Sequence, residues 1–242
     1  MPSSALYLKM PTRKNTLKQG KFVVIEGTDG SGKTTQLALL KDYIEGELKK
    51  TTFTLDFPQY NEFWGKLAGR YFAGEFGGLN DTSPYLVSLP LVLDQATMSK
   101  SIKEALSAGK FVLSNRYITA SLVHQTAKFT AQKDKDNYQS WLLEAGYNKL
   151  GMIKEDLVVA LYVNPEISYA NAHKTRARKT YGTKDIAEDD LDHQKKSAQQ
   201  LVDNCAKFPH WKLIDCCNNK GEILPIEEIQ ELIRAIIRRE LL

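Results

Sequence analysis

Eight consecutive residues carry the clearest chemistry in the sequence. Gly27, Thr28, Asp29, Gly30, Ser31, Gly32, Lys33 and Thr34 fit the pattern G-x-x-x-x-G-K-[ST] in full. Glycines at these places let backbone N–H groups turn inward and form an anion nest. A helix that follows presents its positive N-terminal end to the same spot. The lysine ammonium of such a loop reaches the β- and γ-phosphates of a nucleoside triphosphate, and the hydroxyl after it is a ligand for Mg²⁺. The segment from Gly27 through Thr35 is therefore the expected donor site, with ATP and Mg²⁺ as cofactors, Lys33 as a catalytic cation and Thr34 as the metal ligand. Loops of this kind also serve GTPases, motor ATPases and transporters, so residues elsewhere must name the acceptor.

The elements around the loop support it. Residues 21–26 (KFVVIE) are a short apolar run, the mark of a buried strand in a parallel sheet. Leu37, Leu40, Ile44 and Leu48 then recur at helical spacing and predict a helix over residues 34–50. Four more strands are expected at 53–57, 110–114, 157–163 and 211–215. A helical stretch is expected from 83 to 108, stopped by Gly109, and a final helix after Pro225. This alternation implies an α/β fold: a five-stranded parallel sheet with helices on both faces. No Gly/Ser linker divides the chain, so residues 21–242 read as one domain. Residues 1–20 are basic and free of acid, and read as a flexible tail.

Composition narrows the class further. The chain of 242 residues is 42% hydrophobic and 26% charged, ordinary for a globular protein. It holds no apolar run long enough to span a membrane. The net charge of +4 is spread along the chain apart from a cluster near residue 174, which suits handling of phosphate anions better than a nucleic-acid surface. The expected partners are small-molecule nucleotides, with no nucleic acid and no membrane. Cys205, Cys216 and Cys217 are odd in number, two of them adjacent, and read as reduced thiols of a cytoplasmic protein.

At this point the sequence resembles the thymidylate kinase family of P-loop nucleoside monophosphate kinases. The run from Ile25 to Gln36 (IEGTDGSGKTTQ) is similar to that family's phosphate loop. An acidic residue inside the loop is the family's device for binding the 3′-hydroxyl of the acceptor sugar, and Asp29 stands there. Phe57-Pro58 matches the family's "FP" after the second strand, and Asn115-Arg116-Tyr117 resembles its "DRY" after the third. Residues 119–125 (TASLVHQ) resemble its serine-rich stretch ending in Tyr-Gln, and residues 185–188 (DIAE) its "DIHE". The resemblance covers about residues 21–238. It implies the P-loop nucleotide kinase fold, phosphorylation of dTMP to dTDP by ATP, and a homodimer. The substrate residues implied are Asp29, Phe57, Arg70, Gln95, Arg116 and Gln125. Three departures stand out: Asn115 replaces the "DRY" carboxylate, Tyr60 replaces an arginine after "FP", and Gln95 replaces the arginine that reads thymine. Arg70 is the expected substitute for the arginine lost at Tyr60. Gln95 still offers a donor and an acceptor to a pyrimidine.

Residues 173–184 read HKTRARKTYGTK, and acidic residues follow from 185 to 192. Residues 173–192 are expected to form a short basic lid. Family members with Gly at the position of Gly30 take their catalytic arginine from the lid, which makes Arg176 and Arg178 the candidates. Arg178 is slightly favoured, being nearer the Tyr181-Gly182 turn. Such an arginine would neutralise charge on the transferring phosphoryl group. Arg116 follows a strand at the carboxyl edge of the sheet, where ligands of doubly wound folds bind. The rival readings are a kinase for another nucleotide, a deoxynucleoside kinase with Glu26 as its base, and a nucleotide-binding regulatory module without turnover.

Overall fold

The computed structural model describes residues 20–176 and 185–242, except for the side chains of 174–176. The tail up to residue 19 and the lid arginine Arg178 lie outside the described residues.

Five strands run as expected: β1 (Lys21–Gly27), β2 (Thr52–Asp56), β3 (Phe111–Asn115), β4 (Leu157–Tyr162) and β5 (Trp211–Asp215). All pair in parallel, in the order β2-β3-β1-β4-β5. Parallel strands need crossover helices, and those helices cover both faces. On one face Val23, Ile25, Phe111, Leu113 and Val159 pack against α1 (Lys33–Gly46) and α9 (Ile226–Leu241). On the other, Phe22, Val24, Leu55, Val112 and Val158 meet a second helical layer. That layer includes α3 (Pro84–Thr97), α4 (Ser99–Ser107), α5 (Ile118–His124), α6 (Gln132–Leu143) and α8 (Leu191–Lys207). Strands buried on both sides explain the unbroken apolar runs in the sequence. Two more helices flank the carboxyl edge: α2 (Phe63–Phe72), packed on α3, and α7 (Pro165–Arg176), packed on α8.

Two helices differ from expectation. α1 ends at Gly46, because the chain turns through Lys49 at φ 54° to enter β2, while Leu48 still packs on the core. The stretch expected from 83 to 108 is two helices, broken at Met98, whose N–H bonds to Gln95 O over a shorter turn. No glycine or proline marks that break, and apolar spacing continues through it.

The candidate active site

The glycine loop joins β1 to α1 at the carboxyl edge of the sheet. Gly30 (φ 79°) and Gly32 (φ 88°) both take left-handed backbone, which an L side chain adopts at a cost. At Gly30 space forbids one as well: a Cβ there would lie 2.2 Å from Ser168 O in α7. α7, which leads into the expected lid, is therefore packed directly on the loop. Thr34 and Thr35, on the first turn of α1, are exposed.

Lys33 folds back over the loop. Its Nζ donates to Gly27 O (2.9 Å) and Thr28 O (2.8 Å) and lies 3.7 Å from Asp29 Oδ1. Burial, then the neighbouring Arg116, lowers its pKa to about 8, so the ammonium still dominates at pH 7. Thr28 Oγ1 and Ser31 Oγ are buried without hydrogen-bond partners among the described residues. An unpaired buried polar atom costs about 1–3 kcal/mol. Donors and acceptors left open beside a left-handed glycine turn are what phosphate oxygens would satisfy.

Arg116 is the hub of the site. It sits between β3 and α5 at φ 62°, a conformation unusual for a residue with a side chain. Its Nη2 donates to Asp29 Oδ1. Its Nη1 lies 3.0 Å from His124 Nε2 and 3.7 Å from Glu26 Oε1. Burial pushes the Asp29 carboxyl up, but Arg116 and Lys33 overrule it and hold the group well below the carboxylate range. Burial and Arg116 together hold the His124 pKa well below its usual value, so its ring is neutral. Because guanidinium can only donate, His124 Nε2 must accept and Nδ1 must carry the proton. That Nδ1 has no partner among the described residues.

The neighbouring helix surface shows the same incompleteness. Ser121 Oγ, Gln125 Oε1 and Thr126 Oγ1, on α5 and its short extension, are buried without partners among the described residues. Gln95 Oε1 is likewise unpaired on α3, which packs against α5. Asp94 beside it accepts from Gln59 N at 2.8 Å and fixes the loop after the cis Phe57-Pro58 bond. Tyr60, on that loop, acts electrostatically on Arg116.

Of the residues expected from sequence, Asp29, Lys33 and Arg116 come together, and Gln95 and Gln125 are buried on α3 and at the end of α5. Two are placed elsewhere. Phe57 is 3% exposed and packs in the core with its ring centroid 6.0 Å from Tyr117, because strand alternation turns it from the phosphate-loop face. Arg70 is exposed on α2, where its Nε donates to Glu75 Oε2 at 2.6 Å and its guanidinium covers Phe76. It is not part of the cluster. Arg176 ends α7, and its side chain lies outside the described residues. His124 was not singled out from the sequence, although it stands within the TASLVHQ stretch, two turns beyond Arg116.

The far end of the expected lid returns to the site. Ile186 N donates to Phe72 O at 2.9 Å and its side chain packs near Ala68 and Tyr71. Asp185 accepts from the backbone of Ala187 and Glu188, and its pKa is raised to about 7 by burial and by Asp29 and Glu188. Acidic side chains thus meet the cations from the lid side.

The family model for thymidylate kinase matches residues 25–224 of this chain. The chain belongs to the thymidylate kinase family. A protein of Thermococcus onnurineus described as "probable thymidylate kinase" is 30% identical over 226 residues, covering 91% of this chain and 98% of its own. Another so described, from Pyrococcus horikoshii, is 28% identical over 228 residues, covering 93% of this chain and 98% of its own. The solved thymidylate kinase of Candida albicans shares the fold: TM-score 0.67 at 23% identity, over 91% of this chain and 92% of that one. Family membership makes the protein a nucleoside monophosphate kinase, and the five-stranded parallel sheet seen here is the expected scaffold.

Proposed function

We propose that the protein transfers the γ-phosphoryl group of ATP to dTMP, giving ADP and dTDP. The observation that carries this reading is the contact between Asp29 and Arg116. It joins a carboxylate inside the donor loop to a cation at the end of β3, so donor and acceptor sites share one charged cluster. Lys33 and the loop amides hold the donor phosphates, and Thr34 would hold Mg²⁺. The unpaired hydroxyls of Thr28 and Ser31 and the left-handed glycines fit such a ligand. When bound, Mg²⁺ supplies positive charge across the donor phosphates. Arg116 grips the acceptor phosphate, and His124, neutral and bonded to it, holds its guanidinium in place. Gln95 and Gln125 face the base.

Chemically, an oxygen of the dTMP phosphate forms the new bond to the γ-phosphorus as the bond to the bridging oxygen of ADP breaks. The attacking oxygen carries no proton at neutral pH, so no base is required. Glu26 supports this over a deoxynucleoside kinase. It is fully buried, Oε1 accepting from Gly27 N (3.0 Å) and Oε2 from the Thr119 hydroxyl (2.7 Å). Both oxygens are engaged and Glu26 is shut from solvent, so the carboxylate is not presented to a substrate hydroxyl.

Residues 21–242 are read as one kinase domain with residues 173–192 as its lid. His173 supports this by tying α7 to the far side of the lid through Asp189 Oδ1 at 3.2 Å. Exposed Leu86 and Leu89, one turn apart on α3, with Phe63 on the adjoining α2, support a homodimer through these helices. Free Cys205, Cys216 and Cys217 support a cytoplasmic setting; burial pushes the Cys205 and Cys216 thiols up to about 12.

Asp29 tests the acceptor assignment. Its Oδ1 receives both cations, and its other oxygen makes no hydrogen bond among the described residues, which suits it to a sugar 3′-hydroxyl. A charge-assisted bond of this kind is worth about 1.5–3 kcal/mol. Asp29→Ala is expected to lower kcat/KM for dTMP by roughly ten- to a hundred-fold. With 3′-deoxy-dTMP the natural protein should show a similar loss and Asp29→Ala little further loss. Equal penalties of Asp29→Ala on the two acceptors would remove Asp29 from sugar recognition.

A further inference from the structure

Asn115 stands where the family carries a carboxylate, and the missing charge is next door. β2 and β3 are in register with Asp56 opposite Asn115, and Asn115 is itself opposite Ile25 of β1. Alternation puts Ile25, Asn115 and Asp56 on the face covered by α1. Two packing observations agree. Ile25 and Leu113 lie with Leu40 and Ile44 of α1, and Thr52, on the Asp56 side of β2, hydrogen-bonds to Glu45 of α1. The first turn of this same helix carries Thr34.

The side chains are joined. Asn115 Nδ2 donates to Asp56 Oδ1 at 2.8 Å. An amide has one donor end and one acceptor end, so this bond fixes its orientation: the flipped form would set oxygen against carboxylate. Asn115 is only 9% exposed, and its Oδ1, turned from Asp56, is buried with no partner among the described residues. An oriented, unpaired acceptor beside the start of α1 matches a donor arriving with the ligand. Asp56 is exposed at the strand end.

We propose that Asp56 and Asn115 act as a split carboxylate for the metal of the donor site. Asp56 contributes the negative charge and aims the amide; Asn115 Oδ1 accepts from a water on Mg²⁺. Both are positioning residues, and the proposal rests on the donor-site reading above. A carboxylate in this role lies one strand further from the phosphate loop than the "DRY" pattern would place it. Its distance leaves the metal site weaker in field but still charged.

The test uses Mn²⁺ as the probe. Mn²⁺ is titrated into the protein–ADP complex and the free ion is read by electron paramagnetic resonance. Affinity for ADP in EDTA is measured alongside as the metal-free reference. Outer partners of metal ligands are worth about 10- to 100-fold in metal affinity. Asp56→Asn, nearly isosteric at an exposed position, is expected to weaken Mn²⁺ binding about ten-fold and leave metal-free ADP binding unchanged. The double exchange Asp56→Asn with Asn115→Asp returns the carboxylate to β3 and keeps the hydrogen bond, so it should regain at least the natural affinity. The proposal is overturned if Asp56→Asn leaves Mn²⁺ affinity unchanged, or if the double exchange binds no better than Asp56→Asn alone. If the natural protein does not bind ADP at all, the donor-site reading falls and takes the proposal with it.

Discussion

Replacing Arg176 by alanine is expected to lower the rate of phosphoryl transfer by roughly a thousand-fold or more, the scale of an arginine finger. The phosphate loop cannot supply that charge itself. A Cβ at Gly30 would lie 2.2 Å from Ser168 O and 2.8 Å from Ala172 N, so no arginine fits there while α7 is packed on the loop. The same contact indicates which lid arginine follows. Ser168, Ala172 and Arg176 are successive members of one i, i+4 row along α7, and the first two touch the loop. Arg176 therefore stands one turn beyond the contact, while Arg178, which the Tyr181-Gly182 turn slightly favours, lies outside the described residues. ATP affinity should change little, because the charge to be neutralised develops as the phosphoryl group moves. Single-turnover rates for Arg176→Ala and Arg178→Ala separate the two. A large loss confined to Arg178→Ala would shift the role to that residue. Wild-type rates in both would leave Lys33, Arg116 and Mg²⁺ to carry the charge.

Arg116→Ala is expected to damage both activity and fold. The guanidinium would make two charge-assisted bonds to the acceptor phosphate, each worth about 1.5–3 kcal/mol, so kcat/KM for dTMP should fall by roughly 10²- to 10⁴-fold. Stability should fall too: the pair is partly buried, and removing one partner of a fully buried pair costs about 3–5 kcal/mol, which is the upper limit here. This loss depends on pH in a definite direction. The Asp29 carboxyl is depressed in the natural fold, so its stabilisation is present above the unfolded carboxylate range and is lost as pH falls through the folded value. Without Arg116, Asp29 loses the strongest of the cations that hold its pKa down, and the variant pays most when Asp29 is charged. Urea unfolding should therefore show the largest gap between natural protein and variant near pH 7, narrowing below about pH 4. A gap that is constant or widens toward acid would contradict this account of the pair.

The sheet was legible because its strands are buried on both faces. KFVVIE, KFVLS and LVVALYV are the apolar runs of the three inner strands, as a covered parallel sheet requires, and the half-exposed edge strand β5 still lies at Trp211–Asp215 as expected. Helix ends were less legible. Leu48 continues the α1 spacing but packs from beyond the helix, and no residue type marks the break at Met98. In the site, motif positions gave Asp29, Lys33 and Arg116, whose roles follow from charge beside a phosphate loop. Phe57 and Asp56 show what a motif conceals. "FP" draws attention to the phenylalanine, yet alternation sends Phe57 into the core and turns Asp56 toward α1. His124 was hidden for a different reason: its importance lies in a 3.0 Å contact with Arg116, which spacing along one helix does not reveal. Arg70 is a candidate by charge alone, and in the fold it is exposed on α2 and paired with Glu75 at 2.6 Å.

The most direct test is an acceptor panel with ATP and Mg²⁺: dTMP, dUMP, UMP, dCMP, dGMP and thymidine, each followed by formation of ADP and of the phosphorylated product. The account predicts the highest kcat/KM with dTMP, dTDP as its product, and no phosphorylation of thymidine, since Glu26 is not free to act as a base. Turnover of thymidine in preference to dTMP, or a clear preference for UMP or dGMP, would contradict it.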